Sequence, residues 1–91
     1  MNPQIKAEIL RIANQYGGRN VRIFGSFARG EERPDSDIDL LIDLEEGRSL
    51  LDLIGIQQDL EDLLGRKVDV ATERSLNKYI KAQILADAVL L

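Results

Sequence analysis

Three aspartates and a Gly-Ser pair carry the chemistry available to this sequence. Asp37 and Asp39 stand two residues apart in Asp37-Ile38-Asp39-Leu40-Leu41-Ile42-Asp43. This pattern predicts a strand, with Ile38, Leu40 and Ile42 on one face and Asp37, Asp39, Leu41 and Asp43 on the other. Two carboxylates on one face repel unless a positive charge lies between them. A hard divalent cation with oxygen ligands, such as Mg²⁺, answers that need. An isolated Asp-x-Asp also arises by chance as a polar strand edge, so the pair must be read with its neighbours. Asp69 lies between Val68 and Val70 in a short apolar segment, where Asp is disfavoured in a strand. Buried there, it needs a partner, a proton or a metal; on an edge strand it would stand in water. If the two strands are neighbours, three carboxylates converge on one face. Gly25-Ser26 follows a third apolar strand. Glycine admits a ligand close to the backbone, and Ser26 brings a hydroxyl at the start of a short helical turn suited to phosphate. Together these features predict a two-metal phosphoryl-transfer site, with two Mg²⁺ ions about 3.5–4 Å apart polarising an α-phosphate and activating an attacking hydroxyl.

Other elements must hold these residues in place. Asn2-Pro3 predicts an N-cap and a first helical position, followed by Ile5, Ile9, Ile12, Ala13 and Tyr16 as one apolar stripe that Gly17-Gly18 ends. Asn20 to Phe24 alternates as a strand, with Val21 and Ile23 opposite Arg22 and Phe24. Phe27 to Ser36 reads as a short helical turn and a charged loop. Ser49-Leu50-Leu51-Asp52 resembles a capping box for a helix carrying Leu53, Ile56, Leu60, Leu63 and Leu64, closed by Gly65. Lys67 to Ala71 reads as a strand. Ser75 is expected to cap a last helix with Tyr79, Ile80 and Ile84 inward, and Ala88 to Leu91 suggests a short final strand. Glu61, Asp62, Glu31, Glu32 and Arg33 read as solvated, Asp43 as a water-exposed strand end, and Leu51 as lying off its helix's apolar stripe. The order predicts an α/β (α+β) domain with helices packed on a three- or four-stranded mixed sheet.

Composition narrows the function classes. Ninety-one residues predict one domain spanning positions 1–91, and 44% apolar content supplies one modest core. The chain has no Cys and no His, which excludes disulfides, Cys- or His-ligated metals and His general bases. Carboxylates, hydroxyls, Lys and Arg are left to do any acid–base or metal work. A net charge of −4 argues against direct nucleic-acid binding. No apolar run reaches the ~20 residues of a membrane span, and the first residues do not read as a secretion signal. The cytoplasm is the expected location.

Gly25-Ser26, ten residues, then Asp37-Ile38-Asp39 matches the G-S-x10-D-x-D signature of the DNA polymerase β-like nucleotidyltransferase superfamily. Nearly the whole chain resembles the minimal nucleotidyltransferases that serve as MntA-type antitoxins in HEPN/MNT toxin–antitoxin pairs. Ala28-Arg29-Gly30, Ser36 and the Val68-Asp69-Val70 segment share in that likeness. The resemblance implies a minimal nucleotidyltransferase core in which Gly25 and Ser26 bind the nucleotide triphosphate. It further implies that Asp37, Asp39 and Asp69 are catalytic and ligate two Mg²⁺ ions, and that Arg29 serves either an ion pair or a phosphate. The implied reaction moves AMP from ATP to a tyrosine of a HEPN-domain toxin, in a hetero-oligomer of the type VII-like kind. Two other readings stand beside it: a non-catalytic antitoxin that neutralises by occlusion, and a small-molecule adenylyltransferase. No substrate-recognition domain is visible, which points to an acceptor on a partner protein.

Overall fold

The computed structural model describes residues 1–91. Four helices and four strands follow the order α1 (Pro3–Gln15), β1 (Gly18–Phe24), α2 (Ser26–Arg29), β2 (Ile38–Leu44), α3 (Leu50–Leu64), β3 (Val68–Ala71), α4 (Lys78–Asp87) and β4 (Val89–Leu90). A 3-10 turn, Glu73–Ser75, precedes α4. The strands form one mixed sheet in the order β3-β2-β1-β4. β1 pairs antiparallel with β2 and β4, whereas β2 and β3 run parallel. A parallel pair needs a crossover, and α3 supplies it.

Local chemistry starts and stops the helices as expected. The Asn2 side chain accepts from Gln4 N at 2.7 Å, with Pro3 next in line. Ser49 and Asp52 close a reciprocal capping box at the head of α3. Gly65, at φ +65°, ends that helix in the left-handed conformation. β1 begins at Gly18, two residues before the expected start. A register shift between Arg19 and Arg22 lets the strand pass through Asn20, whose φ is +50°. Asn tolerates that region better than most residues, and its amide donates to Asp43 at 3.0 Å.

The core lies on one face of the sheet. Ile9, Ile12 and Ala13 of α1 and Ile56 and Leu60 of α3 pack on Val21, Ile23, Ile38, Leu40, Ile42 and Val68. Leu41 points to the other face yet is fully buried. The 3-10 turn touches β2 and α4 touches β1, so the chain after β3 covers part of that face.

Two sequence-based expectations about α4 are corrected. Asn77, not Ser75, caps it, accepting from Tyr79 N at 2.8 Å. The Ser75 hydroxyl is instead bonded to the backbone of Thr72. Tyr79 and Ile80 are exposed, at 82% and 51%. The half-buried stripe runs through Lys81, Ile84, Asp87 and Ala88, so a lysine stem and a paired aspartate occupy positions that hydrophobicity assigned to Tyr79 and Ile80.

Candidate active site

The predicted convergence of strands is present. Asp39 of β2 stands directly opposite Asp69 of β3 in the parallel register, and opposite Phe24 of β1 on its other side. β3 is the outer strand of the sheet, so Asp69 is exposed, while Asp39 is half-buried between two strands. The sequence posed burial and edge exposure as alternatives for Asp69. The structure puts Asp69 on an edge and beside Asp39 at once. Asp37 precedes the first residue of β2, and its Oδ2 lies 3.9 Å from Lys67 Nζ.

Burial pushes the Asp39 carboxyl above its ordinary value, and the charges of Asp69 and Asp37 push in the same direction. Hydrogen bonding to Asp69 adds to the rise, and Arg29 opposes it. Arg29 is itself shared between Glu31 and Asp87, each at 3.3 Å, which ties α2 to α4. The ion-pair reading of Arg29 therefore holds in this structure.

Gly25 joins β1 to α2 at φ +72° and ψ −148°, a region open essentially to glycine alone. A Cβ at Gly25 would run into Asp39 Oδ2, so the turn lies directly against the carboxylate. Ser26 follows as the first residue of α2. The two ends of the spaced signature thus meet in space. The carboxylates stand on an open face. A concavity of about 600 Å³ lies elsewhere, between α1 and the β1–β4 edge, and is lined by Leu10, Arg11, Asn14 and Leu90 among others.

No three acidic side chains close on one point. Mg²⁺ is commonly held by one or two carboxylates, with substrate phosphates and water completing its octahedron. Asp39 and Asp69, side by side in the register, are oxygen donors of the kind a hard divalent cation takes.

Several contributors lacked a sequence signal. Lys67 approaches Asp37. Arg22, paired with Asp43 at 3.0 Å and Glu73 at 3.5 Å, binds the 3-10 turn to the sheet. Glu61, expected to be plain solvated surface, accepts from Val68 N at 3.0 Å and so anchors the start of β3. The 43-residue separation of Tyr16 and Asp59, bonded at 2.7 Å, likewise has no local signature.

The nucleotidyltransferase domain family model matches residues 6–91. The chain belongs to that family. Its relatives place it in the minimal, MntA-type branch of the DNA polymerase β-like nucleotidyltransferases. A candidate protein adenylyltransferase of Methanocaldococcus jannaschii is 44% identical over 86 residues, spanning 94% of this nucleotidyltransferase and 92% of the relative. The protein adenylyltransferase MntA of Thermococcus cleftensis is 41% identical over 78 residues, 86% of this chain and 79% of its own. A solved structure of a candidate minimal nucleotidyltransferase superposes with a TM-score of 0.83 at 45% identity, covering 97% of this chain and 89% of that one. The expected mixed sheet packed with helices is thus the fold of the minimal nucleotidyltransferase core. The same fold occurs at 17% identity and a TM-score of 0.74 in a structure of a tri-AMPylated Shewanella oneidensis HEPN toxin in complex with MNT antitoxin, over 99% of this chain and 71% of that one.

Proposed function

We propose that this nucleotidyltransferase is a Mg²⁺-dependent protein adenylyltransferase, moving AMP from ATP to a tyrosine hydroxyl of a HEPN-domain toxin and so acting as its antitoxin. The observation that carries the reading is the in-register pairing of Asp39 with Asp69, with Asp39 lying against the Gly25 turn. Its adenylyltransferase relatives support the donor and the reaction class. The fold shared with a toxin-bound antitoxin supports the partner and a hetero-oligomer with it.

In the proposed reaction the tyrosine hydroxyl gives its proton to solvent, its oxygen bonds to the α-phosphorus, the bond from that phosphorus to the α–β bridging oxygen breaks, and pyrophosphate leaves. Asp37, Asp39 and Asp69 would hold Mg²⁺, which supplies Lewis-acid polarisation of phosphate and a lowered pKa for the attacking hydroxyl. Gly25, lacking a side chain, admits the triphosphate to the backbone, and Ser26 donates its hydroxyl to a phosphate oxygen. Asp69, exposed on the edge strand, is open to the acceptor and orients its hydroxyl.

The test combines the protein, ATP, Mg²⁺ and the HEPN partner, followed by intact mass. A gain on the partner in steps of one adenylate, absent with Asp39→Asn, is expected. Equal neutralisation of the toxin by Asp39→Asn with no mass gain would overturn the reading in favour of occlusion.

A further inference from the structure

Arg66 lies in the turn between α3 and β3, and its guanidinium touches residues that flank both ends of the spaced signature. It sits over the Phe27 ring at 5.3 Å from the centroid, and Phe27 follows Ser26 directly in α2. Its Nη2 donates to Pro34 O at 3.1 Å and its Nη1 to Ser36 O at 3.4 Å, the residue before Asp37. No other side chain from outside the 30–37 loop donates to that loop's backbone. The head of the loop is tied to α2 by Glu31 N, which donates to Ser26 O at 2.8 Å; further along, Arg33 N donates to Ser36 Oγ at 2.7 Å and Ser36 N to Arg33 O at 2.9 Å, so Arg66 is the outside support of its Pro34–Ser36 end. The neighbouring residue helps to hold the strand start, since Ile38 N donates to Lys67 O at 3.0 Å.

We propose that Arg66 is a positioning residue: it clamps the Gly25-Ser26 turn, through Phe27, to the Asp37 entrance of β2, and so sets the spacing between the triphosphate and carboxylate halves of the site. The consequence for ATP rests on the adenylyltransferase reading, whereas the clamp itself does not. Arginine is suited to the task because one planar group can stack on a ring and fork to two carbonyls at once. Lysine keeps the charge and loses the fork.

The test uses the full chain with Arg66→Lys and, should either variant fold poorly, Phe27→Leu as the other half of the clamp. At saturating partner, the KM for ATP should rise roughly 10-fold or more while kcat stays within about threefold. In the absence of nucleotide and metal, amide exchange should quicken across residues 26–37 and stay unchanged in the paired amides of β1 and β2. The double variant should be little worse than either single one, because both remove one contact. A lowered melting temperature with an unchanged KM and unchanged exchange in residues 26–37 would reduce Arg66 to a structural residue and overturn the proposal. A wild-type protein that transfers nothing withdraws the adenylyltransferase reading, and the exchange measurement still decides for or against the clamp.

Discussion

Asp39 is the residue on which opposing effects can be weighed. Folding raises its carboxyl through burial first and the Asp69 and Asp37 charges second. A carboxyl raised in the folded state favours folding fully below its ordinary value of 3.8 and loses that contribution as pH rises through the raised value. Ionised at neutral pH without a cation, it works against folding. Asp39→Asn should therefore be the more stable protein at pH 7 in chelator. Partial exposure screens the repulsion, so the gain is a fraction of a kcal/mol. The difference should shrink as the pH is lowered through the carboxylate range; denaturant unfolding of both proteins at several pH values measures it. Glu45 is the opposite case. Its hydrogen bonds from Arg19 and Arg48 hold its carboxyl below the ordinary value. Its contribution is present at neutral pH and lost as pH falls through that lowered value. Asp69 is exposed; under the proposed reaction, in which it serves the acceptor side, Asp69→Asn should keep most of the Mg·ATP affinity and lose the chemical step. The deficit should lie in kcat, on the order of 10³-fold, with little change in nucleotide KM. Calorimetric nucleotide titration beside single-turnover kinetics separates the two, and near wild-type transfer would withdraw Asp69 from the site.

Among the elements, α4 departs most from its sequence signal. It buries no residue fully, and its attachment includes the Asp87–Arg29 pair. A helix held this way depends on its cap. Asn77→Ala removes the acceptor for Tyr79 N and should cost about 1 kcal/mol of local helix stability. Because little core is involved, faster amide exchange within Lys78–Asp87 should be the main effect, with a small change in melting temperature. A large global loss would mean that α4 is integral to the core. α3 contrasts with it. Ile56 and Leu60 are fully buried, and the Ser49–Asp52 box, Gly65 and the apolar spacing all agree on one helix. Local and tertiary demands coincide there, and the expected bounds match the observed ones.

Across the whole molecule, α1 and α3 are joined at one crowded point. Gly55 of α3 faces the Tyr16 ring, and a Cβ there would run into its edge. The ring cannot swing aside without breaking the 2.7 Å bond from the Tyr16 hydroxyl to Asp59. Gly55→Ala gains about 1 kcal/mol of helix propensity. Overpacking the ring costs roughly 1–3 kcal/mol, so we expect a net loss. Tyr16→Leu in the same chain should recover stability, a coupling that a double-mutant cycle of melts would reveal. The Asp59 bond also raises the Tyr16 hydroxyl, which makes it a poor acceptor for self-adenylylation. Mass mapping should therefore find Tyr16 unmodified after incubation with Mg·ATP.

Much of this was legible in the chain because it is written at short range. Period-two alternation placed Asp39 on a strand face opposite Ile38 and Leu40, and the Gly25-Ser26…Asp37-Ile38-Asp39 spacing pointed to the family. Caps at Asn2 and Ser49 marked helix starts, because a cap bonds to a backbone only two or three residues away. The positions of Asp69, Glu61 and Arg66 needed the tertiary structure. Whether Asp69 stands beside Asp39 depends on strand order and parallel register, which no local pattern encodes. The bond from Val68 N to Glu61 and the bonds from Arg66 to Pro34 and Ser36 form only when the α3–β3 turn comes to rest against the rest of the fold. Hydrophobicity favoured Tyr79, Ile80 and Ile84 as inward residues; Ile84 is half-buried as expected, but the sheet surface under α4 took Lys81 and Asp87 in place of Tyr79 and Ile80. Propensity, capping and alternation act along the chain; adjacency between distant segments is decided by which packing of the whole buries the core and pairs the charges.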